Sequence, residues 1–187
     1  MPVDSDRLNA LLGRVVGDIG GAMSAALVCI GDELGLYKAL AEGPATSVQL
    51  AQRASVAERM VREWLLNQAA GGYIEYDAAK GVFSMTPEQV AAFADDQSPA
   101  FMCGAFDIIA SVHVDTPKVA EAFKSGKGLP WGGHSGCLFC GTERFFAANY
   151  RANLIGAWLP ALTGMVERLR SGGARRMWGA GMGRRRS

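Results

Sequence analysis

Apolar residues at Leu8, Leu11, Leu12, Val15, Val16, Ile19, Met23, Ala26, Leu27, Ile30 and Leu34 recur at helical spacing, which predicts a long amphipathic helical stretch. Ser5 or Asp6 can cap its start. Gly13, Gly17, Gly20 and Gly21 interrupt the pattern. Each costs about 1 kcal/mol relative to alanine in a helix interior, so a break is expected near Gly20. The same glycines would let a second helix approach closely, and a core helix pair and a dimer contact are both open readings. Gly43-Pro44 closes this segment.

Thr46 or Ser47 then caps a short helix through Arg53, with Val48, Leu50 and Ala51 inward. After the Ala54-Ser55 turn, Val56 to Ala70 reads as a second helix burying Val56, Met60, Val61, Trp64 and Leu65. Gly71-Gly72 ends it. Tyr73 to Tyr76 and Val82 to Met85 follow as two strands around Asp77 to Gly81, a hairpin signal. Thr86 as cap, Pro87 at the first helical position and Gln89 completing a capping box open the next helix. Helix, turn, helix and hairpin in that order make a winged helix.

Further on, Ser98 to Val112 places Phe101, Met102, Ala105, Phe106 and Ile109 on one helical side. Thr116-Pro117 predicts a separate short helix to Lys124. Ser125 to Gly136 is a long glycine-rich loop, of a kind that is usually functional or mobile. Thr142 is expected to cap the final helical region, whose apolar side runs from Phe145 to Leu169, with Pro160 kinking or breaking it. The fold class is therefore mainly α: a winged helix with a small two-stranded β wing plus additional helices, and no C-terminal Rossmann-like domain. The expected division is residues 1–43 as N-terminal helices open to a dimer contact, 44–97 as the winged helix, 98–170 as a helical linker region, and 171–187 as a tail.

Composition refines this picture. Nearly half of the 187 residues are hydrophobic, enough for a sizeable core. The net charge of +1 hides an uneven distribution: five of the nineteen basic residues are Arg175, Arg176, Arg184, Arg185 and Arg186. Without them, fourteen basic residues face eighteen acidic ones, a net of −4. An acidic body argues against strong phosphate binding. The second helix of the wing unit carries Glu58, Arg59, Arg62, Glu63, Asn67 and Gln68, whose charges cancel, whereas a DNA reader offers a basic face. A scaffold or dimerisation role fits better than nucleic acid, and a DNA-binding regulator is the alternative. The N-terminus lacks the positive region of a signal peptide, and the apolar run from Ile19 to Ile30 is too short to span a bilayer. With four cysteines and no export signal, free thiols in a cytoplasmic setting are expected.

Cys137 and Cys140 form a C-x-x-C with His134 upstream. Tetrahedral zinc needs four ligands, and Cys29, Cys103 and His113 stand singly in helical segments, so two reduced thiols and no metal are expected. His113 and Asp115, near a helix end, read as local caps, and no catalytic residue is assigned.

The chain ends on Gly179-Ala-Gly-Met-Gly183, a glycine pattern without a buried strand before it or an acidic residue after it. Met177 and Trp178 have single codons. A frame shifted back by one base forces valine across Met177 and Trp178. It also forces glycine across Trp178 and Gly179, and again across Met182 and Gly183. The shifted frame can spell Asp-Val-Gly-Cys-Gly-His-Gly, which resembles the first motif of class I S-adenosylmethionine (SAM) methyltransferases. A frameshift between Gly173 and Arg176 is therefore expected, with a genuine Gly/Arg-rich tail as the other reading.

Residues from about Gly31 to Gly173 also resemble the N-terminal part of bacterial winged-helix SAM-dependent methyltransferases, many of them labelled transcriptional regulators. The matching segments are Gly31-Asp-Glu-Leu-Gly-Leu-Tyr-Lys-Ala-Leu40, Tyr73-Ile-Glu-Tyr76, Leu129-Pro-Trp-Gly132, Phe145 to Leu154 and Trp158 to Leu162. The resemblance implies a front domain that forms a homodimer through the N-terminal helices and winged helix and covers a small-molecule methyl acceptor. It also implies SAM as the cofactor of the intact enzyme, bound by a C-terminal Rossmann-like domain. The cofactor loop is missing here, so this chain is expected to bind no cofactor and to be inactive alone. Trp131, Phe139, Phe145, Phe146 and Tyr150 are the implied substrate wall, with plain core packing as the competing reading.

Overall fold

The computed structural model describes residues 3–172, which fall into two compact units, one ending at Asp95 and one beginning at Asp96.

The first unit opens with α1 (Ser5–Glu33). Its cap is Asp4, whose carboxylate accepts from the backbone N–H of Asp6 and Arg7 at 3.0 and 3.1 Å, rather than Ser5 or Asp6. The helix runs unbroken past Gly20, contrary to the break expected there. Glycine weakens a helix through backbone entropy but keeps its N–H, so every ladder hydrogen bond survives and propagation stays cooperative. As one element, α1 is also long and apolar enough to cross a membrane by length and composition, which corrects the shorter run read from sequence.

After α1 come α2 (Leu36–Ala41), α3 (Ser47–Ala54) and α4 (Glu58–Ala70). Thr46 caps α3 in a full capping box with Gln49. The helix α4 starts at Glu58, two residues later than expected, and Met60 is 70% exposed instead of buried. Val48, also expected inward, is 52% exposed. The wing is β1 (Glu75–Asp77) antiparallel to β2 (Val82–Ser84), with Tyr76 opposite Phe83. Ala45 adds a bridge to Phe83. Thr86, Pro87 and Gln89 open α5 (Pro87–Phe93) with the cap, first-position proline and capping box read from the sequence.

The core of this unit is built around Tyr37 and Trp64. Tyr37 stacks on Phe93 with ring centroids 5.1 Å apart and meets Trp64 edge-on at 4.9 Å. Its buried hydroxyl donates to Gln68 Oε1, so the polar end of the ring is satisfied. Leu36, Leu40, Leu50, Val61, Leu65 and Ile74 close around this pair. Trp64 Nε1 donates to the Leu27 carbonyl at 2.9 Å and ties the end of α1 to α4. Gly31 gives the indole room: a Cβ there would lie 2.5 Å from Trp64 Cζ2.

The second unit is a helical pair. The helix α6 (Cys103–Ser125) is continuous through Pro117, where the sequence suggested two helices. Thr116 does not cap a new helix; its hydroxyl donates to the Val112 carbonyl at 3.0 Å, the back-bond of a helix-interior threonine. Phe101 is buried before α6, whereas Met102 and Ile109, expected on the inner side, are 40% and 42% exposed. A short 3-10 turn (Trp131–Gly133) leads into α7 (Gly136–Asn153). This helix begins six residues before Thr142, which lies inside it. Gly104 and Gly141 let α6 and α7 cross with backbones in contact: a Cβ on Gly104 would lie 2.9 Å from the Gly141 carbonyl oxygen, and one on Gly141 2.9 Å from that of Gly104. A π turn (Leu154–Trp158) ends α7 ahead of Pro160, as the proline required, and α8 (Met165–Arg170) follows.

Candidate functional site

Phe139, Phe146 and Tyr150 lie seven and four residues apart along α7, a spacing that puts them on one face. The face extends at both ends. Trp131 meets Phe139 edge-on at 5.2 Å, and Trp158 meets Tyr150 edge-on at 5.4 Å. Phe145 sits edge-on to Phe146 at 5.1 Å, and Phe146 is 6.5 Å from Tyr150. The five aromatic residues singled out in the sequence thus form two clusters along α7 and the 3-10 turn before it, Trp131 with Phe139 and Phe145 with Phe146 and Tyr150. Trp131, Phe146, Tyr150 and Trp158 are 50%, 45%, 43% and 40% exposed, more than core packing would leave.

About a quarter-turn around α7 lies a cavity of about 310 Å³ lined by Phe101, Cys140, Glu143, Arg144, Ala147 and Arg151 among others. Its cations are engaged. Arg144 Nη1 donates to Asp107 Oδ2 at 2.7 Å with its guanidinium over the Phe101 ring, and Arg151 Nη2 donates to the Asp96 carbonyl at 2.7 Å.

Asp115 lies inside α6, not at a helix end as expected from the sequence. Its carboxylate is buried on α6 and accepts from the Ser135 backbone N–H at 2.9 and 3.2 Å, from Lys118 Nζ at 2.9 Å, and contacts His134 Nδ1 at 3.1 Å. Lys118 Nζ also donates to the Gly133 carbonyl at 2.8 Å. One carboxylate therefore pins the end of the glycine-rich loop and serves the first turn of α7, whose N–H groups have no partner within the helix. The Ser135 backbone bond, followed by Lys118, lowers the Asp115 pKa from the ordinary 3.8 to about 2. With a folded pKa below the unfolded one, this stabilisation is present above the ordinary 3.8 and is lost as pH falls through about 2. An NMR titration of the Ser135 amide should accordingly show a midpoint well below 3.8; a midpoint at 3.8 would mean that these bonds do not hold in solution.

The four cysteines are unbridged, Cys137 and Cys140 exposed and Cys103 buried. Among the described residues no group of three or more His, Cys, Asp or Glu could hold a metal ion.

In the first unit, α4 offers little to DNA. Glu58 takes two bonds from Arg62, at 2.9 and 2.8 Å, and a third from Ser47 Oγ at 2.6 Å. The Ser47 bond, then Arg62, holds the Glu58 carboxyl below its usual range. Arg59 pairs with Glu63 one turn along. Each arginine so held is neutralised on its own helix, which leaves no basic stripe for phosphates. The same unit carries a long apolar surface. Leu11, Leu12, Val16, Ile19 and Met23 are 49–68% exposed on α1. Their stripe runs into an apolar groove of about 380 Å³ between Leu27 and Ile30 on α1, Leu34 just past its end, and Val56, Met60 and Trp64.

Residues 22–94 match the family model of the Rv2258c-like winged helix-turn-helix domain, spanning α2 to α5 and the end of α1. The first unit carries a winged helix-turn-helix domain. Solved structures share the fold. The mitomycin 7-O-methyltransferase MmcR matches with a TM-score of 0.55 and 19% identity over 90% of this chain and 43% of its own. PigF, solved with SAH, matches with a TM-score of 0.53 and 13% identity over 91% of this chain and 55% of its own. The chain thus spans about half the length of these proteins. No curated protein matches it by sequence.

Proposed function

We propose that this chain is the front part of a SAM-dependent methyltransferase, which forms a homodimer through α1 and covers a small-molecule methyl acceptor with the aromatic face of α7. The observation that carries the reading is the winged helix-turn-helix domain on a chain whose fold is that of about half of a solved methyltransferase. The expected frameshift falls at residues 173–176, outside the described residues, and is part of the proposal. So are a cytoplasmic setting and SAM as the cofactor of the intact enzyme. Among the described residues the sheet has two strands, both in the wing, and no parallel strand ends in a glycine loop to hold a nucleotide. Alone, this chain is expected to transfer no methyl group.

Dimerisation is supported by the shape of α1. Its apolar stripe covers one side only, while Arg14 and Asp18 lie mid-helix on the other, a pattern that suits a partner helix better than hydrocarbon on all sides. Sedimentation equilibrium should therefore show a dimer. The double variant Leu12→Glu and Ile19→Glu would bury two carboxylates in that contact and should weaken association at least ~100-fold. A monomeric wild type, or a variant that associates equally well, would remove α1 from the interface.

A further inference from the structure

Cys137 and Cys140 are the second and fifth residues of α7, both exposed and unbridged. We propose that they form a dithiol site, which exchanges with a small-molecule disulfide and closes reversibly into a Cys137–Cys140 bridge. Cys140 takes the incoming sulfur and Cys137 resolves it. This chemistry is independent of any methyl transfer.

Helix geometry brings the two thiols within reach. Residues three apart on an α-helix have Cα atoms about 5 Å apart, inside the ~4.4–6.8 Å that a disulfide spans. Their Cβ atoms, at about 5–6 Å, must close to about 3.5–4.5 Å, so the first turn of α7 has to tighten slightly. The chain provides for that at one end. Gly141, directly after Cys140, is locked against α6: a Cβ there would lie 2.9 Å from the Gly104 carbonyl oxygen and 2.9 Å from the Ile108 nitrogen. On the other flank Ser135 is held by Asp115. Between Ser135 and Cys137 stands Gly136, where a Cβ would meet nothing within 4 Å. Its backbone freedom lets Cys137 move toward Cys140 while both flanks stay fixed. An exposed bridge closed against that resistance is easily reduced, which makes it reversible.

Access decides the order of attack. Cys140 lines the cavity of about 310 Å³ beside Phe101, Arg144 and Ala147, whereas Cys137 stands outside that lining. A disulfide R–S–S–R entering the cavity therefore meets Cys140 first. The Cys140 thiolate attacks one sulfur, forms a mixed disulfide and expels R–S⁻, which takes up the proton released from Cys140. Cys137 then attacks the Cys140 sulfur, the internal bond forms, and the second R–S⁻ leaves with the Cys137 proton. Two protein thiols are oxidised and one external disulfide is reduced to two thiols, with no other reactant. Cys103, at 1% exposure, is shut off from an external disulfide.

Glutathione disulfide, added in excess to the 187-residue chain, is the probe, with mass spectrometry as the readout. Tryptic peptide 128–144 holds both cysteines and no other. After oxidation it should weigh two hydrogens less, carry no glutathione, and regain both thiols with excess dithiothreitol. Cys137→Ser should stop one step earlier, with glutathione retained on Cys140. Cys140→Ser should take up glutathione on Cys137 more slowly than Cys137→Ser does on Cys140. Both side chains are exposed, so the helicity of the two variants should match that of the wild type. Two free thiols after oxidation of the wild type, glutathione that persists on it, or a bridge to another peptide would overturn the dithiol site. Equal uptake by the two variants would overturn the place of Cys140 as the point of entry.

Discussion

Replacing Gly141 by valine should dismantle the α6–α7 pair. A Cβ at this position would stand 2.7 Å from Asp107 Cβ and 2.9 Å from both the Gly104 carbonyl oxygen and the Ile108 nitrogen. Two of those three atoms are backbone, so relief requires the helices to separate. Separation would strip the contact that holds the second unit together, whose buried side chains are few: Phe101, Cys103, Ser111, Asp115, Ala148 and Met165 among them. Overpacking alone costs about 1–3 kcal/mol, and a clash with fixed backbone belongs at or above the top of that range. Urea unfolding followed by circular dichroism would read the loss. Gly136→Ala is the control: it meets nothing within 4 Å and should change stability by less than ~1 kcal/mol. A Gly141→Val protein that unfolds with the wild type would mean that the helices do not cross so closely.

Trp64→Ala should cost about 3–5 kcal/mol, the usual toll of removing a buried large aromatic ring. Trp64 is 3% exposed, and it carries both the edge contact with Tyr37 and the hydrogen bond to the Leu27 carbonyl. Its loss should loosen the end of α1 as well as open the winged-helix core. The pairing with Gly31 gives a sharper form. Gly31→Ala alone drives a methyl against the indole and should destabilise by about 1–3 kcal/mol. In the double variant the indole is gone and the methyl has space, so the two costs should fall short of additive by at least ~0.5 kcal/mol. Strict additivity in urea melts would show that the two residues do not touch.

The winged helix was legible because its signals are local. Capping boxes at Thr46 and Thr86, the Gly71-Gly72 stop and the hairpin around Asp77 each depend on residues within a few positions of one another. Errors gathered where distant groups settle a local question. The start of α7 at Gly136 hides behind a cap supplied by Asp115, twenty positions back, so Thr142 looked like the better candidate. The continuity of α6 through Pro117 depends on helix packing that no residue type announces. Likewise the aromatic face of α7 could be read from spacing, but the union of His134 with Asp115 could not, because they stand nineteen positions apart across helix and loop. Met60 and Val48 show the opposite failure: their helical phase suggested burial, yet they stand at the open side of the winged helix.

The nucleotides that follow the codon for Arg176, read through several hundred bases in all three frames, bear most directly on whether this chain is the front of a methyltransferase. A second frame that begins Asp-Val-Gly and continues into alternating strands and helices, with an acidic residue roughly 20 positions after the glycines, is the expected result. Three frames without any such sheet would contradict it.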